Sequence, residues 1–228
     1  MQISVTLSAN AGVCIQANGY KIWVDALHDR PVTGFSSVDQ DLWKKLYQSE
    51  AFSNPDYICY THDHPDHYSK GLTDQALSLW SEAKLLMPKA DMPPETVDNG
   101  AFQLSFQKLP HEGEQYKNVP HYGILLRIAE KNILIPGDCA IGAQELAAWI
   151  GERQIDLALL DFPWLTLKNG RAFVESAIRP RTVGVYHLPF EKDDVFGYRK
   201  AVKKTLEQRF LYDVKLLSEP LQTVCFDL

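Results

Sequence analysis

With 228 residues, 45% of them hydrophobic, the chain is long enough to bury a core as one large domain or two small ones. Its formal charge of −6 weighs against a general nucleic-acid or polyanion partner. The opening "MQISVTLSANAGV" lacks the basic start and apolar run of a signal peptide, and no segment approaches about eighteen consecutive apolar residues. A soluble, cytoplasmic protein with no membrane partner is therefore expected.

In chain order, "GVCIQANGYKIWVD" (Gly12 to Asp25) reads as strand, Asn-Gly turn, strand and a closing aspartate. Ser37 and Gln40 suggest a capping box for a helix near 38–49, with Val38, Leu42 and Leu46 on its apolar face. "PDYICYT" (55–61) reads as a short buried strand that runs straight into "HDHPDH". A helix from Thr73 to about Glu82, a strand at 84–88 and the Pro-rich connection "MPKADMPPE" follow. A turn at Asn99-Gly100 then opens a strand over 102–109.

"GILLRIAEKNILIPGD" (Gly123 to Asp138) repeats the layout of the first hairpin and again delivers an aspartate at its end. A helix near 142–151, a strand at 155–161, a helix near 171–178 and a strand at 182–188 come next. A long helix over 192–209 carries the densest basic run, "YRKAVKKTLEQR", which reads as a solvated amphipathic face. Strands near 213–217 and 222–227 finish the chain. Strands and helices mix throughout without a low-complexity linker, so residues 1–228 read as one layered α/β domain of two similar halves, helices outside and sheets within.

Cys14, Cys59, Cys139 and Cys225 lie far apart with no Cys-x-x-Cys pair, which fits reduced thiols. Cys139 reads as a small buried filler and as the most oxidation-sensitive neighbour of Asp138.

The densest chemistry is at residues 62–67. His62 and His64 alternate, so on an extended segment their imidazoles face one way and can grip one ion. Pro65 turns the chain, aiming Asp66 and His67 at a second point nearby. Asp63, between the paired histidines, is expected to point away. This spacing suggests two adjacent metal ions.

"His62-Asp-His64-Pro-Asp66-His67" resembles the H-x-H-x-D-H signature of the metallo-β-lactamase superfamily of metal-dependent hydrolases. The resemblance covers nearly the whole chain and implies a four-layered αββα sandwich, the metallo-β-lactamase fold. It also implies further motif residues in order: Asp25 in "IWVDA" matches the early aspartate, Asp138 in "LIPGDCA" the later one, and His187 in "VGVYHLPF" the last histidine. The mid-chain histidine has two candidates, His111 in "QKLPHEG" and His121 in "NVPHYGILL". His111 is preferred because the family's ligand lies on the loop before the hairpin that leads to Gly-Asp.

By the same resemblance, His62, His64 and His111 would hold one ion, Asp66, His67 and His187 a second, and Asp138 would bridge them. Zinc suits imidazole and carboxylate donors without cysteine, with iron or manganese as alternatives. Asp66 and Asp25 would be catalytic, the first orienting the attacking water and the second fixing a ligand histidine. The implied reaction is hydrolysis of an ester, lactone, amide or phosphodiester in a small-molecule substrate. An iron-dependent oxidoreductase and a non-catalytic metal-binding protein are the alternatives. For substrate contacts, Phe162 and Trp164 in "DFPWLTLKNG" offer an aromatic wall or core packing, and Tyr186, Tyr68, Tyr122 and His121 are candidate hydrogen-bond donors to the leaving group.

Overall fold

The computed structural model describes residues 1–89 and 92–228, so Ala90 and Asp91 of the Pro-rich connection lie outside the described residues. The chain divides into two compact units, each built on one sheet. The first comprises 1–87, 186–199 and 217–227, and the second 88–185 with 200–216 and residue 228.

The sheet of the first unit has the order β13-β1-β2-β3-β4-β5. Its strands are β1 (Gln2–Leu7), β2 (Val13–Ala17), β3 (Tyr20–Val24), β4 (Tyr57–Cys59), β5 (Lys84–Leu86) and β13 (Thr223–Asp227). The first hairpin forms as its sequence predicts: Asn18 and Gly19 both take positive φ, which the tight turn between two twisted strands requires. Strand β1 is absent from the sequence reading. Its alternation of Ile3, Val5 and Leu7, all fully buried, is the period-two signal that marks it. Strands β3 and β4 run parallel, with Val24 opposite Cys59, so their carboxyl ends emerge side by side.

Two helices belong to this unit. Helix α1 spans Gln40–Gln48, and its cap is Asp39, whose carboxylate accepts from the Leu42 amide at 2.8 Å. The expected capping box at Ser37 does not form, because Asp39 sits next to the first helical residue with a charged acceptor aligned on the helix end. Helix α2 spans Lys70–Leu79 and begins three residues before the expected Thr73, capped by Ser69 on the Leu72 amide.

The second unit carries the seven-stranded sheet, in the order β12-β11-β10-β9-β8-β7-β6. These strands are β6 (Val97–Asp98), β7 (Phe102–Lys108), β8 (Tyr122–Ile128), β9 (Lys131–Ile135), β10 (Leu157–Asp161), β11 (Thr182–Tyr186) and β12 (Asp213–Leu216). The second hairpin, β8 with β9, turns through Ala129 and Glu130 at positive φ, so it has the geometry of the first without its Asn-Gly sequence. Helix α3 (Gln144–Ile150) lies where expected. The helix expected near 171–178 starts much earlier, as α4 (Pro163–Thr166) and α5 (Lys168–Phe173), followed by a π-helical turn over Val174–Ile178. Pro163 opens α4, where its missing amide proton costs nothing.

The expected helix over 192–209 shortens to α6 (Tyr198–Leu206). Gly197 takes a φ of +75°, which ends helical geometry, and the Asp194 carboxylate accepts from the amides of Tyr198 and Arg199. Only Val202 and Thr205 of α6 are buried, so Lys200, Lys203 and Lys204 form the expected solvated face, while Arg199 donates to the Pro189 and Ser218 carbonyls. All four cysteines are free, and among the described residues no helix is long and apolar enough to cross a membrane.

The cap assignment is directly testable. Asp39→Ala should lower unfolding free energy by about 1 kcal/mol in urea titrations, whereas Ser37→Ala should change it by less than about 0.5 kcal/mol.

Candidate metal centre

The buried centre of the first unit is the carboxylate of Asp25, the residue that follows β3. Its backbone sits at a φ of +50°, and its amide continues the ladder by donating to the Cys59 carbonyl at 3.0 Å. Fully buried, the carboxylate accepts from the Thr61 amide at 2.8 Å, the Thr61 hydroxyl at 2.7 Å and Nδ1 of His67 at 3.0 Å. Because the Thr61 hydroxyl gives its only proton to Asp25, its oxygen accepts from Nδ1 of His62 at 2.9 Å. These contacts place the Nδ1 proton of both histidines on the protein side and turn Nε2 the other way, the orientation a metal ligand needs.

The turn after Pro65 completes the cluster. The His64 carbonyl accepts from the amides of His67 and Tyr68 at 3.0 and 2.9 Å, which folds Asp66 and His67 back while leaving Asp63 exposed. His62 and His64 meet edge to face, with ring centroids 4.5 Å apart. Across the unit, His187 follows β11 at a φ of +60°, its amide held by the Asn10 carbonyl at 3.0 Å.

Nε2 of His187 lies 3.1 Å from Nε2 of His67 and 4.0 Å from Oδ2 of Asp66. Ligand atoms of Asp66, His67 and His187 all fall within 4.8 Å of one another. Two nitrogens bound to one tetrahedral zinc at its usual bond length sit about 3.3 Å apart, so the imidazole pair fits a shared ion.

The second unit holds the other pair. His111 turns Nδ1 to the Glu112 carbonyl at 2.7 Å, leaving Nε2 3.7 Å from Oδ2 of Asp138. Two hydrogen bonds of 2.8 Å, Glu112 amide to Asp138 carbonyl and Ala140 amide to Pro110 carbonyl, zip the two loops together. His121 lies beside His111, with ring centroids 5.4 Å apart, and turns Nδ1 to the Leu109 carbonyl at 3.2 Å. Of the two, His111 is the one that offers a nitrogen next to Asp138.

Several expectations about surrounding residues give way. Trp164 is fully buried and packs on Phe173 at 5.8 Å, and Phe162 is also buried, so the aromatic wall is core packing. Their segment is helical, pinned by Gly170, where a Cβ would come within 2.6 Å of the Trp164 carbonyl. His121, Tyr122 and Tyr186 are likewise buried, leaving Tyr68 as the one proposed donor with exposed surface. Burial pushes the Cys139 thiol up, away from the thiolate that oxidants attack.

Two contributors escaped the sequence reading. Thr61 relays Asp25 to His62, and a hydroxyl directly before the first histidine was the available signal. His28 is fully buried with Nδ1 on the Asp25 carbonyl at 3.0 Å. Burial, and then the nearby His67, lower its pKa to about 4.

No protein-family model and no curated protein sequence matches the chain. Solved structures do. Igni18, a metallo hydrolase from Ignicoccus hospitalis, superposes over 100% of both chains with a TM-score of 0.67 at 17% identity. The metallo-β-lactamase fold protein YhfI from Bacillus subtilis covers 99% of this chain and 100% of its own, with a TM-score of 0.64 at 13% identity. CmlA, a diiron β-hydroxylase from Streptomyces venezuelae, matches 99% of this chain with 54% of its own, at a TM-score of 0.63 and 14% identity. The chain has the metallo-β-lactamase fold.

The buried histidine gives a pH prediction. Its pKa falls from 6.5 in the unfolded chain to about 4 in the fold, so the unfolded state binds the extra proton between these values. Stability is then complete above about pH 6.5 and is lost as pH falls toward 4. Metal-free protein should lose about 2 kcal/mol of unfolding free energy between about pH 6.5 and 5, and His28→Phe should flatten that slope in urea titrations.

Proposed function

We propose that the protein is a metal-dependent hydrolase that cleaves an ester, lactone, amide or phosphodiester bond in a small molecule. The observation that carries this reading is the trio Asp66, His67 and His187, whose donor atoms converge within 4.8 Å while Asp25 holds the His67 proton on the far nitrogen. The likeness to a solved metallo hydrolase along the full chain supports it. These residues fit a divalent ion, zinc before iron or manganese, because all the donors are imidazole or carboxylate. Such an ion supplies the Lewis acidity that makes water a nucleophile near neutral pH.

The chain's own residues do the rest. Asp25 fixes the tautomers of His62 and His67 and keeps both rings from turning. Asp66, with two oxygens and one needed for coordination, accepts a hydrogen bond from the attacking water on the other and orients it. The assignment of His62, His64 and His111 to one ion, with Asp138 shared between two, draws on both units and rests on the resemblance of the sequence motifs. A two-ion site is the form of the reading that uses all seven donors.

Metal analysis of purified protein tests this. About two zinc ions per chain are expected; His187→Ala should lose about one of them, and Asp138→Ala should release or scramble both. Unchanged metal in Asp138→Ala removes the bridging role. A larger loss in His121→Ala than in His111→Ala reverses the choice of mid-chain ligand. Two irons with little zinc would favour the oxidoreductase reading, since CmlA shows that the fold accommodates diiron chemistry. Metal-loaded protein inert toward lactones, phosphodiesters, thioesters and β-lactams would point to a binding protein.

A further inference from the structure

The first unit displays an apolar surface that no metal role explains. Phe35 meets the His187 imidazole edge to face, with centroids 5.2 Å apart at 90°. Tyr198 stacks on Phe35 at 6.2 Å, and Phe196 continues the row at 5.4 Å from Tyr198. Phe196 is 58% exposed and its neighbour Val195 is 67% exposed. Single exposed apolar residues are ordinary, but here three rings form a continuous row whose first member, Phe35, packs on a candidate metal ligand.

This surface is held in place from beneath. The Ser36 hydroxyl donates to Oδ2 of Asp193 and accepts from the Phe190 amide, each at 2.7 Å, tying the segment around Phe35 to the one carrying Phe196. Gly34, at a φ of +81°, lies under the Phe196 ring, and a Cβ there would stand 2.4 Å from a ring carbon. Asp194 fixes the other end by capping α6 through the Tyr198 and Arg199 amides. A rigid aromatic face therefore costs little ordering entropy when something packs on it.

We infer that Phe35, Phe196, Tyr198 and Val195 form the subsite for an aromatic or branched aliphatic group of the substrate, placed beside the bond that is cleaved. The inference rests on the metal reading, because His187 links the wall to the reacting centre. Aromatic rings that pack face or edge on a substrate ring, with apolar burial around them, favour such a group over a methyl.

Calorimetric titration of zinc-loaded protein with phenylphosphonate and with methylphosphonate tests it, since the two share one metal-binding head. Phenylphosphonate should bind at least about tenfold more tightly. Phe196→Ala, at a mostly exposed position, and Phe35→Leu should each cut that preference to about threefold or less, with zinc content unchanged. A preference that survives both substitutions, or that never existed in protein carrying its zinc, overturns the subsite alone. A chain that takes up no zinc overturns the metal reading and the subsite with it. A dimer in sedimentation that Phe196→Ala dissociates would assign the surface to a second copy instead and overturn the inference.

Discussion

A carboxylate without solvent contact is stable only when donors surround it, and the one on Asp25 has three. Two of them come from Thr61 and the third from His67, so one buried charge joins the end of β3 to the whole segment that follows β4. The consequence reaches beyond packing. Each imidazole it touches, directly or through the Thr61 hydroxyl, has its proton committed to the protein side. The opposite nitrogens are then turned away from Asp25, that of His67 lying 3.1 Å from Nε2 of His187.

The fold makes this possible by letting two parallel strands end together. Because Val24 lies opposite Cys59, the residues that leave β3 and β4 start side by side, and polar groups there avoid the apolar interior of the sheet. Asp25 and His187 both follow strands with a positive φ, which turns the chain sharply and keeps the side chain near the strand end. The neighbouring loop cooperates: Ser8 donates to the Ala26 carbonyl, and Gly12 sits so close that a Cβ would be 2.7 Å from the Ala26 Cα. Asn10, in the same loop, holds the His187 amide. Residues remote in sequence thus reach one place because backbone contacts of the loop around Asn10 join them.

Much of this was legible in the sequence, for reasons that are local. The hairpins announced themselves through strand periodicity, and the histidine cluster through spacing that few other roles would require. What escaped was decided by competition between neighbours or by distant partners. Ser37 read as the cap of α1, but Asp39, two residues on, has the better charge and position and takes that role. The ends of α2 and α6 depended on Ser69 and on Gly197 with Asp194, whose roles show only once the chain direction is known. Trp164 and Phe35 are equally apolar by composition. Only the tertiary structure buries the first against Phe173 and sets the second against His187.

The same competition explains why a further buried histidine belongs in this neighbourhood. His28 gives its Nδ1 proton to the Asp25 carbonyl, so the residue that orients the ligands with its side chain is itself held by its backbone. A charged imidazole there would stand near His67 and His187 in a place water does not reach, and its lowered pKa reflects that conflict. Remaining neutral, it braces the left-handed turn at Asp25 without adding positive charge beside the donors. His62, His67 and His28 therefore share one feature, an Nδ1 proton aimed at Thr61 or Asp25. His62 and His67 keep it turned inward so that Nε2 points the other way, and His28 keeps it turned inward to hold the turn that makes the other two possible.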